Sequence, residues 1–309
     1  MGNIRFILLA LAAAATTFAV ALWVSNAYVF FAGYVVLQYI VLATAWNILG
    51  GYTGYVNFGT AAFFALGAYT TVVLHKTVPF MPLPVMMMVG GLISGIIGLG
   101  MGYLTLRLRG TFFAIATLAM AVVAQTLITN WDFVGGSRGA YIIRPAKSPI
   151  FTGDYIEYLF AIMLLLSVIS VCIARAIQHS RLGYGFAAIR DDELAAEASG
   201  VPTLRLKLIA TVLSGGLMGM AGAPLPYYVT YLDPASGFSL SYAINTIAMP
   251  LIGGTATWLG PVIGAVLLAT LQQLATVTIS SALSLLLVGL LLVGFVIAAP
   301  KGIVGWFKR

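Results

Sequence analysis

Charge is scarce in this chain. Only 7% of its residues are Asp, Glu, Lys or Arg, whereas soluble domains carry them at about a quarter of positions. There are eight carboxylates and two histidines in 309 residues, too few for a solvated surface, so a soluble globular domain is excluded. Cysteine is nearly absent. Cys172, inside an apolar run, permits no disulfide framework and no Cys/His metal spacing. His75 and His179 stand far apart near the ends of apolar runs, as interfacial histidines do. A His-rich metal run, paired aspartates within an apolar segment and a Gly-Lys-Ser/Thr phosphate loop are all missing. These absences predict a chain that performs no chemistry of its own and holds neither metal nor cofactor.

What is present is apolar. Hydrophobic residues make up 61% of the chain and its mean hydropathy is +1.05, so the expected class is an all-α polytopic membrane protein. Apolar runs predict about ten transmembrane helices near 7 to 25, 28 to 49, 55 to 75, 84 to 106, 111 to 130, 155 to 177, 207 to 230, 240 to 254, 260 to 279 and 282 to 299. They form a single membrane domain over residues 1 to 309, with no polar stretch long enough for a separate soluble one. The span near 240 is too short for a straight crossing and is bracketed by Pro250 and a Gly-Gly pair, which suits a broken or partly re-entrant helix. The N-terminus mimics a signal peptide, with Arg5, an apolar core and then Ser25 and Ala27. Its apolar stretch is longer than most signal cores, so it is read as an uncleaved first helix.

Basic residues set the orientation. With the N-terminus inside, eleven fall at cytoplasmic ends: Arg5, Arg107, Arg109, Arg175, Arg181, Arg190, Arg205, Lys207, Lys301, Lys308 and Arg309. Only Lys76, Arg138, Arg144 and Lys147 fall outside. Both termini are therefore expected in the cytoplasm. The basic residues are scattered singly and in pairs, which fits topology rather than nucleic acid. Two connections are longer than turns. The outer one, about 131 to 154, is rich in Gly, Pro and aromatics and suits a structured cap on the pore mouth; the inner one runs from about 178 to 206.

All eight carboxylates lie in loops or at span ends. A proton- or sodium-driven carrier commonly keeps an ionisable group at membrane depth, so energy for transport is expected from elsewhere. The spans carry neutral polar groups instead. Asn47, Asn57, Thr60, Thr117, Gln125, Asn245 and Thr246 are candidates for lining a pathway for a small polar solute, and the alternative for each is a hydrogen bond between helices. Small residues three and four apart at 90 to 102 and 214 to 224 predict close helix packing.

Against this background one segment stands out. Between Ile189 and Pro202 the chain reads IRDDELAAEASGVP, with Asp191, Asp192, Glu193 and Glu197 inside seven residues. Asp191 can cap, Asp192 and Glu193 favour a helix N-terminus, and Gly200 with Pro202 supplies a stop. The expectation is a helix of about two turns on the cytoplasmic face. Ala195, Ala196 and Ala198 leave it slim enough for a groove on another protein, and Arg181, Arg190, Arg205 and Lys207 form a basic surround that could hold it against the membrane or that partner. The alternative is a solvated loop helix.

At these residues the chain resembles a known family. The segment from Ser180 to Ala223 is similar to the coupling region of permeases of branched-chain amino-acid ABC importers, of the M-subunit type. Further matches are WNILGGYTGYVNFGTAAFFALGAYT from Trp46, LRLRGTFFAIATLAMA from Leu106, VGGSRG from Val134, LIGGTATWLGPVIGA from Leu251 and the terminal AAPKGIVGWFKR. The resemblance implies a ten-helix permease of the bacterial inner membrane, paired with a second, H-type permease, two cytoplasmic ATPases that bind ATP and Mg, and a periplasmic binding protein. It implies that Asp191, Asp192, Glu193, Ala195, Ala196, Glu197 and Gly200 belong to a coupling helix seated in an ATPase groove. Leu194, Ala195, Ala196 and Gly200 keep part of the general importer pattern, with Leu194 replacing its glutamate. Leu, Ile or Val is the implied cargo; urea, short amides and other amino acids are carried by related permeases. A stand-alone carrier is the transport alternative.

Overall fold

The computed structural model describes residues 3–24, 26–78, 80–149, 153–278, 286, 289–290, 292–294 and 302–306. The expected span at 282 to 299 lies almost wholly outside the described residues, as do Lys301, Lys308 and Arg309.

The described chain is almost entirely helical: α1 (Asn3–Val24), α2 (Ala27–Thr53), α3 (Thr60–Thr77), α4 (Leu83–Thr105), α5 (Thr111–Thr129), α6 (Tyr155–Gln178), α7 (Arg181–Asp191), α8 (Glu193–Ala198), α9 (Thr203–Gly222), α10 (Leu225–Val229), α11 (Pro234–Gly237), α12 (Leu240–Gly253) and α13 (Leu259–Thr278), with a further turn at Gly302–Trp306. Among the described residues, seven helical stretches are long and apolar enough to cross a membrane, including α9 and α10 taken together as Thr203–Val229. The protein is a polytopic all-α membrane protein. Two other expected spans fall short for different reasons. α3 starts at Thr60, five residues later than its apolar run, and carries Thr70, Thr71, His75 and Lys76, which lower its hydropathy. α12 is 14 residues long with Pro250 inside it, in keeping with the short, interrupted span that its sequence predicts.

The helices divide into two compact units, each discontinuous in sequence. One comprises Met1–Thr44, Pro145–Gln178 and Ala248–Arg309; the other comprises Ala45–Arg144 and His179–Ile247. α2 and α12 contribute residues to both.

In the second unit α3, α4 and α9 pack mutually. Lipid is as apolar as leucine, so the hydrophobic effect gives helices little reason to associate within it; close van der Waals packing has to supply the attraction. Small residues make that approach possible. A Cβ on Gly67 would land on the carbonyl of Gly219, and one on Gly222 would strike that of Phe64. Ser94 donates to the carbonyl oxygen of Phe63 at 3.0 Å across the same contact. The glycine stripes at 90 to 102 and 214 to 224 thus act as the sequence predicts: a Cβ on Gly91 would crowd Met220, and one on Gly219 would strike Ser94. Phe63, Phe64 and Phe113 are among the fully buried side chains of this unit.

At one end of this unit, residues 131 to 144 form two 3₁₀ turns and the strand β1 (Ala140–Tyr141), which pairs antiparallel with β2 (Tyr231–Leu232). Residues 131 to 144 of this connection are therefore structured. Lys76 at the end of α3 donates to the carbonyl of Phe133 at 2.8 Å, and Tyr231 donates to that of Arg138 at 2.8 Å. A polar depression of about 740 Å³ opens here, lined by Thr129, Asn130, Asp132, Ser137 and Arg138 among others.

Candidate functional site

The opposite end of the same unit carries the acidic segment. Two helices form in it rather than one. Ser180 caps α7, accepting from the N–H of Gly183 at 3.4 Å, and Asp191 is the last residue of that helix rather than the cap of the next. Asp192 caps α8 instead, in extended conformation, accepting from the N–H of Ala195 at 3.0 Å. The expected start thus shifts by one residue, because only the second aspartate leaves the helical backbone.

The stop is where the sequence places it. Gly200 has φ +85, and the N–H of Val201 reaches the carbonyl of Ala196 at 3.0 Å while that of Gly200 reaches Glu197 at 3.0 Å. This pair of bonds requires a left-handed residue, which glycine adopts without strain.

What holds α8 is an ion pair. Lys207, 3% exposed, lies in the second turn of α9 and directs its ammonium to three acceptors: Glu193 Oε1 at 2.7 Å, the carbonyl oxygen of Leu106 at 3.0 Å and the Tyr55 hydroxyl at 3.1 Å. An ammonium has three N–H bonds, so each finds an acceptor. Tyr55 in turn donates its O–H to Glu193 Oε2 and sets its ring edge-on to Phe113 at 5.0 Å. Arg109 approaches the same carboxylate at 3.7 Å and Glu197 at 3.8 Å, but its side chain is 51% exposed, and solvated pairs contribute at most about 1 kcal/mol. The buried pair therefore carries the anchoring. One short helix is thereby tied to the α2–α3 connection, the end of α4 and the start of α9.

Lys207 was expected in a basic surround that holds the helix against the membrane or a partner; it is instead the buried counter-ion of Glu193, holding the helix to its own chain. Arg190 also turns to its own chain, meeting Asp191 at 3.3 Å on the surface. The sequence reading missed Tyr55 and the Leu106 carbonyl. A faint signal existed, since a lysine within an apolar span requires a partner, and Glu193 is the nearest carboxylate to Lys207 along the chain apart from Glu197.

Electrostatics fix the charge states. Burial raises the pKa of Glu193, but hydrogen bonds from Lys207 and Tyr55 and the charges of Lys207 and Arg109 outweigh it, leaving the carboxyl below its ordinary value of 4.5. Tyr55 is pushed upward by burial first and then by the neighbouring carboxylate, so it stays a neutral donor. A carboxylate with a depressed folded-state pKa adds stability above its ordinary pKa and loses it as pH falls through the lower folded value. The stability gap between wild type and Glu193→Gln should accordingly stay flat from pH 8 to pH 5 and close only on acidification below about 4.5; thermal unfolding of the two proteins across that range checks it.

The outward surface of α8 is defined by exposure. Asp191, Asp192, Leu194, Ala195, Glu197 and Ala198 are exposed, while Ala196 is only 6% exposed. Ala195 and Ala196 were both expected to face a partner. Ala195 is exposed, but Ala196 turns against its own chain.

The candidate pathway residues separate by what their side chains do. Asn57 accepts the N–H of Gly59 at 2.7 Å on its side-chain oxygen. Thr117 accepts the N–H of Phe58 at 3.1 Å and donates to the carbonyl of Ala114 at 2.8 Å. These two close the 54–59 connection. Asn47 and Asn245 are buried, and Gln125 is half-buried on α5. Thr60 and Thr246 are buried with hydroxyls that meet no hydrogen-bond partner among the described residues.

A family model described as a branched-chain amino acid transport system permease component matches residues 28–296. The chain belongs to that permease family. It is 28% identical over 294 residues to the high-affinity branched-chain amino acid transport system permease protein LivM of Salmonella typhimurium, covering 86% of this chain and 67% of that protein. LivM of Escherichia coli is 27% identical with the same coverage, and a probable LivH permease of Methanocaldococcus jannaschii is 25% identical over 83% of this chain and 85% of its own length. No solved structure matches. Permeases of this family are transport components rather than enzymes, in agreement with the missing catalytic motifs.

Proposed function

We propose that this chain is the membrane-spanning permease subunit of an ATP-driven ABC importer that moves branched-chain amino acids inward by alternating access. The family match over residues 28–296 carries the reading. Its cargo is inferred from relatives whose names specify branched-chain amino acids. The partners are a second permease, two ATPases that bind ATP and Mg, and a periplasmic binding protein. The chain acts as one permease domain with ten crossings in the bacterial inner membrane and both termini cytoplasmic. Supporting this orientation, Arg109 and Lys207 gather at the α8 end of the second unit, whereas Lys76 and Arg138 lie at the other end.

α8 serves as the coupling helix. A short polar helix would transmit little if it floated on a loop. Here the Glu193–Lys207 pair fastens it to the α2–α3 connection, the end of α4 and the start of α9, so displacement of its exposed face moves those segments with it. Thr60 and Thr246, whose buried hydroxyls meet no hydrogen-bond partner among the described residues, are the leading pathway candidates, with Asn47, Asn245 and Gln125 as further ones.

In proteoliposomes containing the assembled complex, leucine uptake should require internal ATP and survive an uncoupler. Uptake abolished by the uncoupler alone, with ATP present, would identify a gradient-driven carrier. ATP-dependent uptake of a sugar or of urea in place of leucine would keep the mechanism and replace the cargo.

A further inference from the structure

The first unit holds a groove of about 760 Å³ between α1, α2, α6 and α13. Its walls are aliphatic and aromatic, and the two hydroxyls that border it turn away: Thr17 donates to the carbonyl of Ala13 at 2.8 Å and Ser167 to that of Leu164 at 2.7 Å, each within its own helix. Among the described lining residues Arg175 alone is charged. It lies in the last turn of α6, with its guanidinium 4.1 Å from the centre of the Phe6 ring and 5.5 Å from that of Trp258. Those two rings meet edge-on at 4.9 Å. At the far end Phe160 closes the groove, packed by Phe30 at 5.5 Å, and its ring fits only because position 33 is glycine, where a Cβ would strike it.

An arginine held between aromatic rings at one end of an otherwise apolar slot matches an amphiphile with an anionic head. The length agrees. From Arg175 to Phe160 along α6 is about 22 Å at the helical rise, close to one leaflet of a bilayer about 40–45 Å thick including headgroups. The sign agrees as well, since Arg5 precedes Phe6 at the same end and the first turn of α1 holds no acidic residue. Glu157 lies in the first turn of α6, at the opposite end of that helix. Aromatic side chains at headgroup level are an ordinary interfacial anchor.

We propose that this groove binds one anionic glycerophospholipid, with an acyl chain lying along α1 and α6 and the phosphate on Arg175. Native mass spectrometry of the purified full-length protein, titrated with dioleoylphosphatidylglycerol or dioleoylphosphatidylcholine, tests it. Wild type should hold one phosphatidylglycerol with about fivefold preference over phosphatidylcholine, the size expected of a basic side chain at an anionic headgroup. Arg175→Gln should lose the preference and Arg175→Lys should keep it. Ala14→Phe, which fills the groove, should weaken both lipids, whereas Ala12→Phe on the exposed side of α1 should weaken neither. Equal retention of the two lipids by wild type, or an unchanged preference in Arg175→Gln, would overturn the proposal. So would a disulfide between Ala14→Cys and a cysteine on the second permease in the assembled complex, since that would show a protein in the groove.

Discussion

Glu193→Leu is expected to lower the stability of the purified protein by about 3 kcal/mol, the lower end of the cost of breaking a buried ion pair. The substitution strands the ammonium of Lys207, 3% exposed, with two neutral acceptors and no counter-ion. Lys207→Met should cost less. It leaves behind a carboxylate whose side chain is 13% exposed and which keeps the Tyr55 donor and the nearby Arg109 guanidinium. The asymmetry follows from which charge can still reach water or a partner. The double variant Glu193→Leu/Lys207→Met removes both charges and should return to within about 1 kcal/mol of wild type, since apolar replacement of a buried pair is often close to neutral. Thermal unfolding of the four proteins completes the cycle. Equal losses in both single variants, or no recovery in the double, would show that the pair does not anchor α8.

The second large effect separates the two alanines. Ala195→Trp places a bulky ring on the exposed face of α8 and should leave the permease as stable as wild type while ATPase association weakens about 30-fold or more, the loss typical of an interface hot spot above about 2 kcal/mol. Ala196→Trp forces the same ring against the chain's own packing and should cost about 1–3 kcal/mol of permease stability as well. Co-purification with the ATPases, substrate-stimulated ATP hydrolysis and thermal unfolding distinguish them. Normal assembly and hydrolysis in Ala195→Trp would remove α8 from the coupling surface. Loss of assembly in Ala196→Trp alone would show that its effect runs through misfolding of the corner rather than through the interface.

Both experiments address a segment whose helix was legible but whose attachment was not. Capping aspartates, helix-forming alanines and a terminal glycine are local signals, and they place α8 within a residue or two because a cap and a stop act on backbone groups three or four positions away. Hydropathy likewise marks most membrane helices, since each must satisfy its own hydrogen bonds within lipid and shows this as a continuous apolar run. The glycine stripes on α4 and α9 announce close packing for the same reason: small residues at helical spacing have few other uses in a membrane.

Partner choice required the tertiary structure. Lys207 and Glu193 are 14 residues apart, and Tyr55 is 152 residues from Lys207; the sequence supplies their charges and donors but not the packing that removes them from water together. The sequence assigns Lys207 to a basic surround because a lysine near a span end usually faces the interface, and only the placement of Leu106 and Tyr55 around it shows that it faces inward. Asn57 and Thr117 look alike with Thr60 and Thr246 as polar residues in apolar spans. Folding separates them, because the 54–59 connection leaves backbone N–H groups that the first two must satisfy. Hydropathy, capping and small-residue spacing are properties of neighbours along the chain and were fixed by the sequence itself. Which charge is buried, which alanine faces outward and which hydroxyl stays unbonded depend on residues brought together from distant positions, and only the tertiary structure decided them.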